Sequence, residues 1–138
     1  MTQESSIIRE EKLFGLSAGE ENFPYLIGKR CKGCGEFLFP PLSICKKCLS
    51  DQLHEVHFGR EGKLYSYSIV RFAPQGFKGP YAIGYIDLEG GLRLFSMICD
   101  WEESELVTGK DMELVITNIR SDEKGDAVLG YAYRPKRT

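Results

Sequence analysis

Four cysteines in the frame Cys31-Lys-Gly-Cys34, ten residues, Cys45-Lys-Lys-Cys48 carry the clearest chemistry in this chain. Two Cys-x-x-Cys knuckles at that separation can place four thiolates around one tetrahedral point, the donor set of a structural zinc site. Gly33 and Gly35 flank Cys34 and can take the positive-φ conformations a tight knuckle needs. The second knuckle has no glycine; Lys46, Lys47 and Leu49 surround its cysteines. Zinc with four thiolates carries a formal charge of about −2. Lys29, Arg30, Lys32, Lys46 and Lys47 stand around the frame to offset it. A four-cysteine site leaves no open coordination position, so the metal is read as a staple for a small unit rather than a catalyst. Iron in a rubredoxin-like site has the same ligand geometry and remains an alternative. Two disulfides are disfavoured, because no N-terminal apolar stretch resembles a signal peptide and a reducing cytoplasm is expected.

Little else in the chain can do covalent chemistry. Cys99 is the fifth cysteine, at the end of the apolar run Leu94 to Ile98, where a buried, inert thiol is expected. His54 and His57 are read as bystanders, since four cysteines already complete the metal site. There is no Ser-His-Asp arrangement, paired-carboxylate motif or Gly-rich phosphate loop. The chain is therefore read as a binding or scaffolding protein with no catalytic residues of its own.

The elements that must position the cysteines follow from periodicity. Tyr25 to Arg30 and Glu36 to Phe39 read as short strands of a metal ribbon over 25–50, and Pro40-Pro41 stop the second of them. Residues 1–24 read as a helical docking arm, with a capping-box pattern at Ser17 to Glu20 and Pro24 at its end. Residues 51–61 read as a connector. From residue 62 to 138 the pattern is β: Leu64–Arg71, Tyr81–Leu88, Leu92–Cys99, Met112–Arg120 and Ala127–Tyr133. Glu89-Gly90-Gly91 is a hairpin signal, and the acidic segment Trp101 to Val107 suits a helical turn. Five strands with a helical insert after the third describe an OB-fold barrel, with a small sandwich as the alternative. The fold class is mainly β: arm, rubredoxin-like ribbon, five-stranded barrel.

With 138 residues and a net charge of −2, the chain has room for one such domain with a metal-stapled appendage. The charge balance disfavours a dedicated nucleic-acid binder. No apolar run approaches the length of a membrane span, so no membrane partner is expected.

The order of these parts resembles an acyl-CoA-associated family, first catalogued as a domain of unknown function, that joins a rubredoxin-like zinc ribbon to an OB-fold. The marks are Arg30-Cys31-Lys-Gly-Cys34-Gly35, Phe39-Pro40-Pro41, Cys45-Lys-Lys-Cys48, Gly62-Lys-Leu-Tyr65-Ser-Tyr67, Pro80-Tyr81, Asp87 to Gly90, Gly109-Lys110 and Tyr131 to Pro135. They span about Phe23 to Pro135. Leu49 departs from the pattern, standing where a glycine is common, and the arm lacks an expected aromatic pair. The resemblance implies a non-catalytic accessory subunit of a thiolase-type enzyme. The partner would supply the nucleophilic cysteine and the histidines. The small chain would complete the hetero-oligomer and help hold the CoA thioester, as in a thiolase acting on an aromatic acylsuccinyl-CoA.

With that implication, the loop between the first two barrel strands becomes the candidate contact region for CoA or for the partner. It offers Arg71, Phe72, Phe77, Lys78 and Tyr81: rings for an adenine to stack on and cations for phosphates. An ordinary glycine-proline loop packing on a protein partner fits the same residues. Two other readings are a single-strand nucleic-acid binder, since zinc ribbons and OB-folds both serve there, and a free-standing acyl-CoA-binding protein.

Overall fold

A computed structural model describes residues 7–9, 14–16, 24–72, 74–77 and 79–137. The described residues form ten strands: β1 (Ile7–Arg9), β2 (Phe14–Leu16), β3 (Pro24–Cys31), β4 (Phe37–Leu38), β5 (Leu53–Phe58), β6 (Glu61–Val70), β7 (Tyr81–Asp87), β8 (Arg93–Ile98), β9 (Asp111–Ser121) and β10 (Ala127–Pro135).

The last five close a barrel. β6 pairs β7, β7 pairs β8, β8 runs parallel to β10, β10 pairs β9, and β9 returns to β6 at Gly62↔Met112. This is the strand order of an OB-fold. Alternation in each strand turns one side chain in two inward. Leu64, Ala82, Ile86, Leu94, Ile98, Met112, Leu114 and Tyr133 form the buried core. Small residues such as Ala82, Gly84, Ser96 and Ala132 leave room for the larger ones in so narrow an interior. The expected helical insert is a single 3₁₀ turn, Glu103–Glu105, closed by reciprocal capping bonds between Glu102 and Glu105. The register of β6 shifts between Leu64 and Ser66, so Tyr65 lies on the outer face under Arg93, while Tyr67 and Ile69 stand opposite Gly84 and Ala82 on the other face, Ile69 packed on the core and Tyr67 partly exposed.

The metal ribbon is a second sheet around β3, which pairs β2 and β4 along one edge and β5 along the other. The segment read as a connector thus carries a strand. Its alternation (Leu53 and Val56 half-buried, Phe58 buried) is diluted by His54, Glu55 and His57, which point to solvent. The described residues of the arm are also extended, not helical. Short apolar clusters such as Ile7-Ile8 and Leu13 to Leu16 fit either period, and pairing to the rest of the protein decides. β1 runs parallel to Ala127–Leu129 of β10, while β2 pairs Pro24–Leu26 of β3. The arm therefore touches both units within ten residues. The capping-box pattern at Ser17 to Glu20 lies outside the described residues.

Ribbon and barrel share one core. Leu26 of β3 and Phe58 of β5 belong to the same buried cluster as the barrel residues, and Phe39 packs edge-on against both Phe58 and Tyr131. The Tyr133 hydroxyl, deep in that core, donates a 2.5 Å hydrogen bond to the carbonyl of Gly59 at the junction. Gly90, in the β7–β8 turn at φ +81, sits against the ring of Phe37; a Cβ there would clash with the ring edge at Cε2. Only glycine permits that approach.

Candidate metal centre and barrel face

The four cysteines converge. All four sulfurs lie within 4.8 Å of one another, with Cys31–Cys48 at 3.5 Å and Cys34–Cys45 at 3.6 Å. Zn–S bonds of about 2.3 Å in a tetrahedron need sulfur separations of about 3.8 Å, so the donor set fits the ion. The two knuckles are built alike. In the first, the N–H of Gly35 donates to the carbonyl of Cys31 (3.0 Å); in the second, the N–H of Leu49 donates to that of Cys45 (2.8 Å). Backbone N–H groups also point at sulfur: Cys34 to Cys31 Sγ (3.5 Å) and Lys47 to Cys45 Sγ (3.4 Å). Such donors stabilise thiolates and orient metal ligands. Gly35 has φ +81 and Leu49 has φ +65, so the second knuckle adopts the left-handed conformation without a glycine.

Ionisation follows the same geometry. The Cys34 N–H, ahead of lesser contacts, lowers Cys31 to about 6, and the Cys48 N–H lowers Cys45. Cys48 is pushed up to about 12: the backbone at Ser50 favours its thiolate, but the sulfur of Cys31, burial and the other sulfurs oppose it more strongly. Four thiols this close cannot all ionise without a cation between them, and a divalent ion supplies it. Arg30 stands beside the first knuckle, its guanidinium 4.8 Å over the Phe37 ring and its Nε bonded to the Gly35 carbonyl at 3.2 Å. His57 stacks on Tyr25 and bonds Glu55 at 2.9 Å, and neither it nor His54 joins the sulfur cluster.

The described candidate residues of the loop between β6 and β7 are Arg71, Phe72, Phe77 and Tyr81. Arg71 is held 3.7 Å from Glu103. Phe77 and Tyr81 stack on each other, ring centroids 5.2 Å apart, so each has spent one face. Phe72 stands alone and is 94% exposed. Lys78 lies outside the described residues.

A surface not singled out from the sequence lies on the outer face of β6, β7 and β8. Arg93 packs 3.4 Å over the Tyr65 ring and makes a two-pronged bond to Asp87 (2.5 and 3.2 Å). Next to it, Tyr85 and Phe95 form an edge-to-face pair at 5.6 Å, both nearly half exposed. The signal was present as alternation, since Tyr85/Asp87 and Arg93/Phe95 are outward positions of paired strands. Where the ribbon meets β9 and β10 there is also an open groove of about 920 Å³, lined by Pro24, Arg60, Cys99, Glu113, Arg134 and Lys136 among others. Burial pushes the Cys99 thiol upward, which opposes the thiolate a nucleophile needs. None of the loop candidates lines that groove. Among the described residues no helix is long and apolar enough to cross a membrane.

Comparison with known proteins matches both units. Residues 24–54 match the family model described as the ChsH2 rubredoxin-like zinc ribbon domain, and residues 55–117 match the ChsH2 C-terminal OB-fold domain. A DUF35 domain-containing scaffold protein of Methanocaldococcus jannaschii is 38% identical over 114 residues, covering 80% of this chain and 81% of the relative. The benzoylsuccinyl-CoA thiolase subunit BbsA of Thauera aromatica is 37% identical over 111 residues, 80% of this chain and 76% of the relative. The solved Ltp2-ChsH2(DUF35) aldolase has the same fold, with a TM-score of 0.65 at 24% identity over 80% of this chain and 84% of that one. The chain belongs to the ChsH2 family of zinc-ribbon and OB-fold proteins, whose relatives include DUF35 scaffold proteins and thiolase subunits.

Proposed function

We propose that this protein is a non-catalytic accessory subunit of a thiolase-type acyl-CoA enzyme, stapled by one zinc ion held by Cys31, Cys34, Cys45 and Cys48. The observation that carries this reading is the similarity to a thiolase subunit, which runs through ribbon and barrel alike rather than through one module. The chemistry of the chain agrees with it. When bound, the zinc supplies structure and charge, because its coordination sphere is closed. Burial raises the pKa of the fifth cysteine, and neither histidine lines the groove it borders, so the acyl-transfer nucleophile belongs to the partner.

What the chain contributes is surface. Phe72 and the neighbouring loop, with Arg71, Phe77, Lys78 and Tyr81, are where the CoA end of a thioester or the partner would meet the barrel. A four-thiolate metal site suits the reducing conditions of the cytoplasm. Native isolation of the tagged full chain under mild salt tests the proposal. A thiolase-type subunit should co-elute in a fixed ratio. A chain that elutes alone at its own 15.6 kDa contradicts it.

A further inference from the structure

The second knuckle is strained in a way the fold does not repay. Its twin uses Gly35 for the left-handed position, but here Leu49 occupies it at φ +65, with the same hydrogen bond closing the turn. A leucine in that conformation is disfavoured by contact of its Cβ with the backbone. Burial could compensate, yet Leu49 is 75% exposed. Leu42 and Ile44, on the run into the same knuckle, are exposed large apolar residues as well.

The charges around this tip are equally unspent. Barrel cations are largely engaged: Lys63 with Asp111, Arg93 with Asp87, Arg134 with Glu113, Lys136 with Glu61, Arg137 with Asp100 and Glu105. Lys32, Lys46 and Lys47 are exposed and have no ion-pair partner among the described residues. Exposed apolar side chains on and beside a knuckle that also carries two unpaired cations, Lys46 and Lys47, are complementary to an apolar recess with an acidic rim. The knuckle needs the left-handed backbone, but it does not need a leucine there, and a bulky exposed residue kept at a strained position is the kind of feature that marks a contact site.

We propose that the second-knuckle tip, Leu49 with Lys46 and Lys47 and the preceding Leu42 and Ile44, is a docking surface that inserts into an acidic-rimmed apolar recess of the catalytic partner. This rests on the accessory-subunit reading and deepens it by naming the contact. Leu49 is the anchor, Leu42 and Ile44 widen the apolar contact, and the lysines steer the approach. The metal gives the tip its rigidity, so little conformational freedom is lost on docking.

The test separates strain from binding. The catalytic subunit that co-purifies with the wild-type chain is expressed alone and titrated with zinc-loaded full-length variants. Leu49→Gly should raise the melting temperature by about 2–4 °C, as the strain is relieved, and weaken the complex about tenfold. Leu42→Ser should weaken it several-fold, on the order expected for an exposed interface residue, at unchanged stability. Lys46→Glu with Lys47→Glu should slow association and flatten its salt dependence. Wild-type affinity in Leu49→Gly overturns the docking surface, and so does a lowered melting temperature, which would place Leu49 in the service of the fold. Loss of binding in the lysine variant alone, with a dT oligonucleotide competing for the same site, also overturns it in favour of a purely charged contact. If the wild-type chain binds no thiolase-type subunit, the functional reading itself fails. If wild type and Leu49→Gly bind one equally, only the docking surface does.

Discussion

Tyr133→Phe removes one oxygen from the place where ribbon and barrel meet. The ring of Tyr133 is wholly buried in the shared core, and its hydroxyl donates to the buried carbonyl of Gly59. Phenylalanine fills the same volume, so no cavity comparable to a lost methylene opens. The cost is the lost bond and an acceptor left without that donor, about 1–3 kcal/mol. In a chain of 138 residues this corresponds to a fall in melting temperature of roughly 3–10 °C. Tyr131→Phe is the control. Its hydroxyl donates to the Phe95 carbonyl at 3.0 Å near the surface, where water can replace it, and the expected change is within about 0.5 kcal/mol. Burial holds the Tyr133 phenol above its ordinary pKa, so the folded protein keeps the proton after the unfolded chain has lost it. Its stabilising contribution is complete below about pH 10 and declines as pH rises beyond that. The gap between wild type and Tyr133→Phe should therefore narrow in alkali. Thermal unfolding followed by far-UV circular dichroism, repeated between neutral pH and pH 11, measures both effects. A Tyr133→Phe protein as stable as wild type at pH 7, or one melting in two separated steps, would refute the shared-core argument.

Other outcomes follow from single contacts. Gly90→Ala puts a Cβ into the Phe37 ring at a positive φ and should cost about 2–4 kcal/mol, read by urea denaturation. Phe72→Ala should leave stability within about 0.5 kcal/mol, because the ring is almost fully exposed, while lowering affinity for the partner or for CoA. Arg137 holds the Glu105 carboxyl below its usual range, so the contribution of this pair is present above pH 4 to 5 and is lost as pH falls through the lowered value. NMR titration should show the Glu105 pKa rising toward an ordinary glutamate in Arg137→Ala. Stripping the zinc with a chelator should abolish one cooperative melt rather than release an intact barrel, because Leu26 and Phe58 tie the ribbon into the barrel core.

The barrel was legible in the sequence because its strands alternate cleanly and its turns carry glycine. β7, β8, β9 and β10 begin and end within two residues of their expected bounds. The sulfur site was legible because a Cys-x-x-Cys pair fixes its own local geometry. Other features depended on contacts distant in the chain. β5 hides its strand period behind two histidines and a glutamate, and only its pairing with β3 makes it a strand. Ile7 to Leu16 fit helix or strand until β10 and β3 provide edges to pair with. The Tyr85–Phe95 pair follows from alternation across the β7–β8 hairpin, whereas the Tyr65–Arg93 contact joins strands that no local spacing relates. The loop from Arg71 to Tyr81 was legible as a set of residue types, whereas the stacking of Phe77 on Tyr81 and the approach of Arg71 to Glu103 depend on the folded chain.

The central claim is that this chain performs no acyl chemistry and assembles with a subunit that does. Native mass spectrometry of the complex isolated through a tag on the full chain, after brief iodoacetamide treatment, tests it most directly. The account predicts a zinc-loaded chain bound to a thiolase-type subunit, with the rapid label on a partner cysteine and none on Cys99. A rapid label on Cys99, or a chain that carries no metal and no partner, would contradict it.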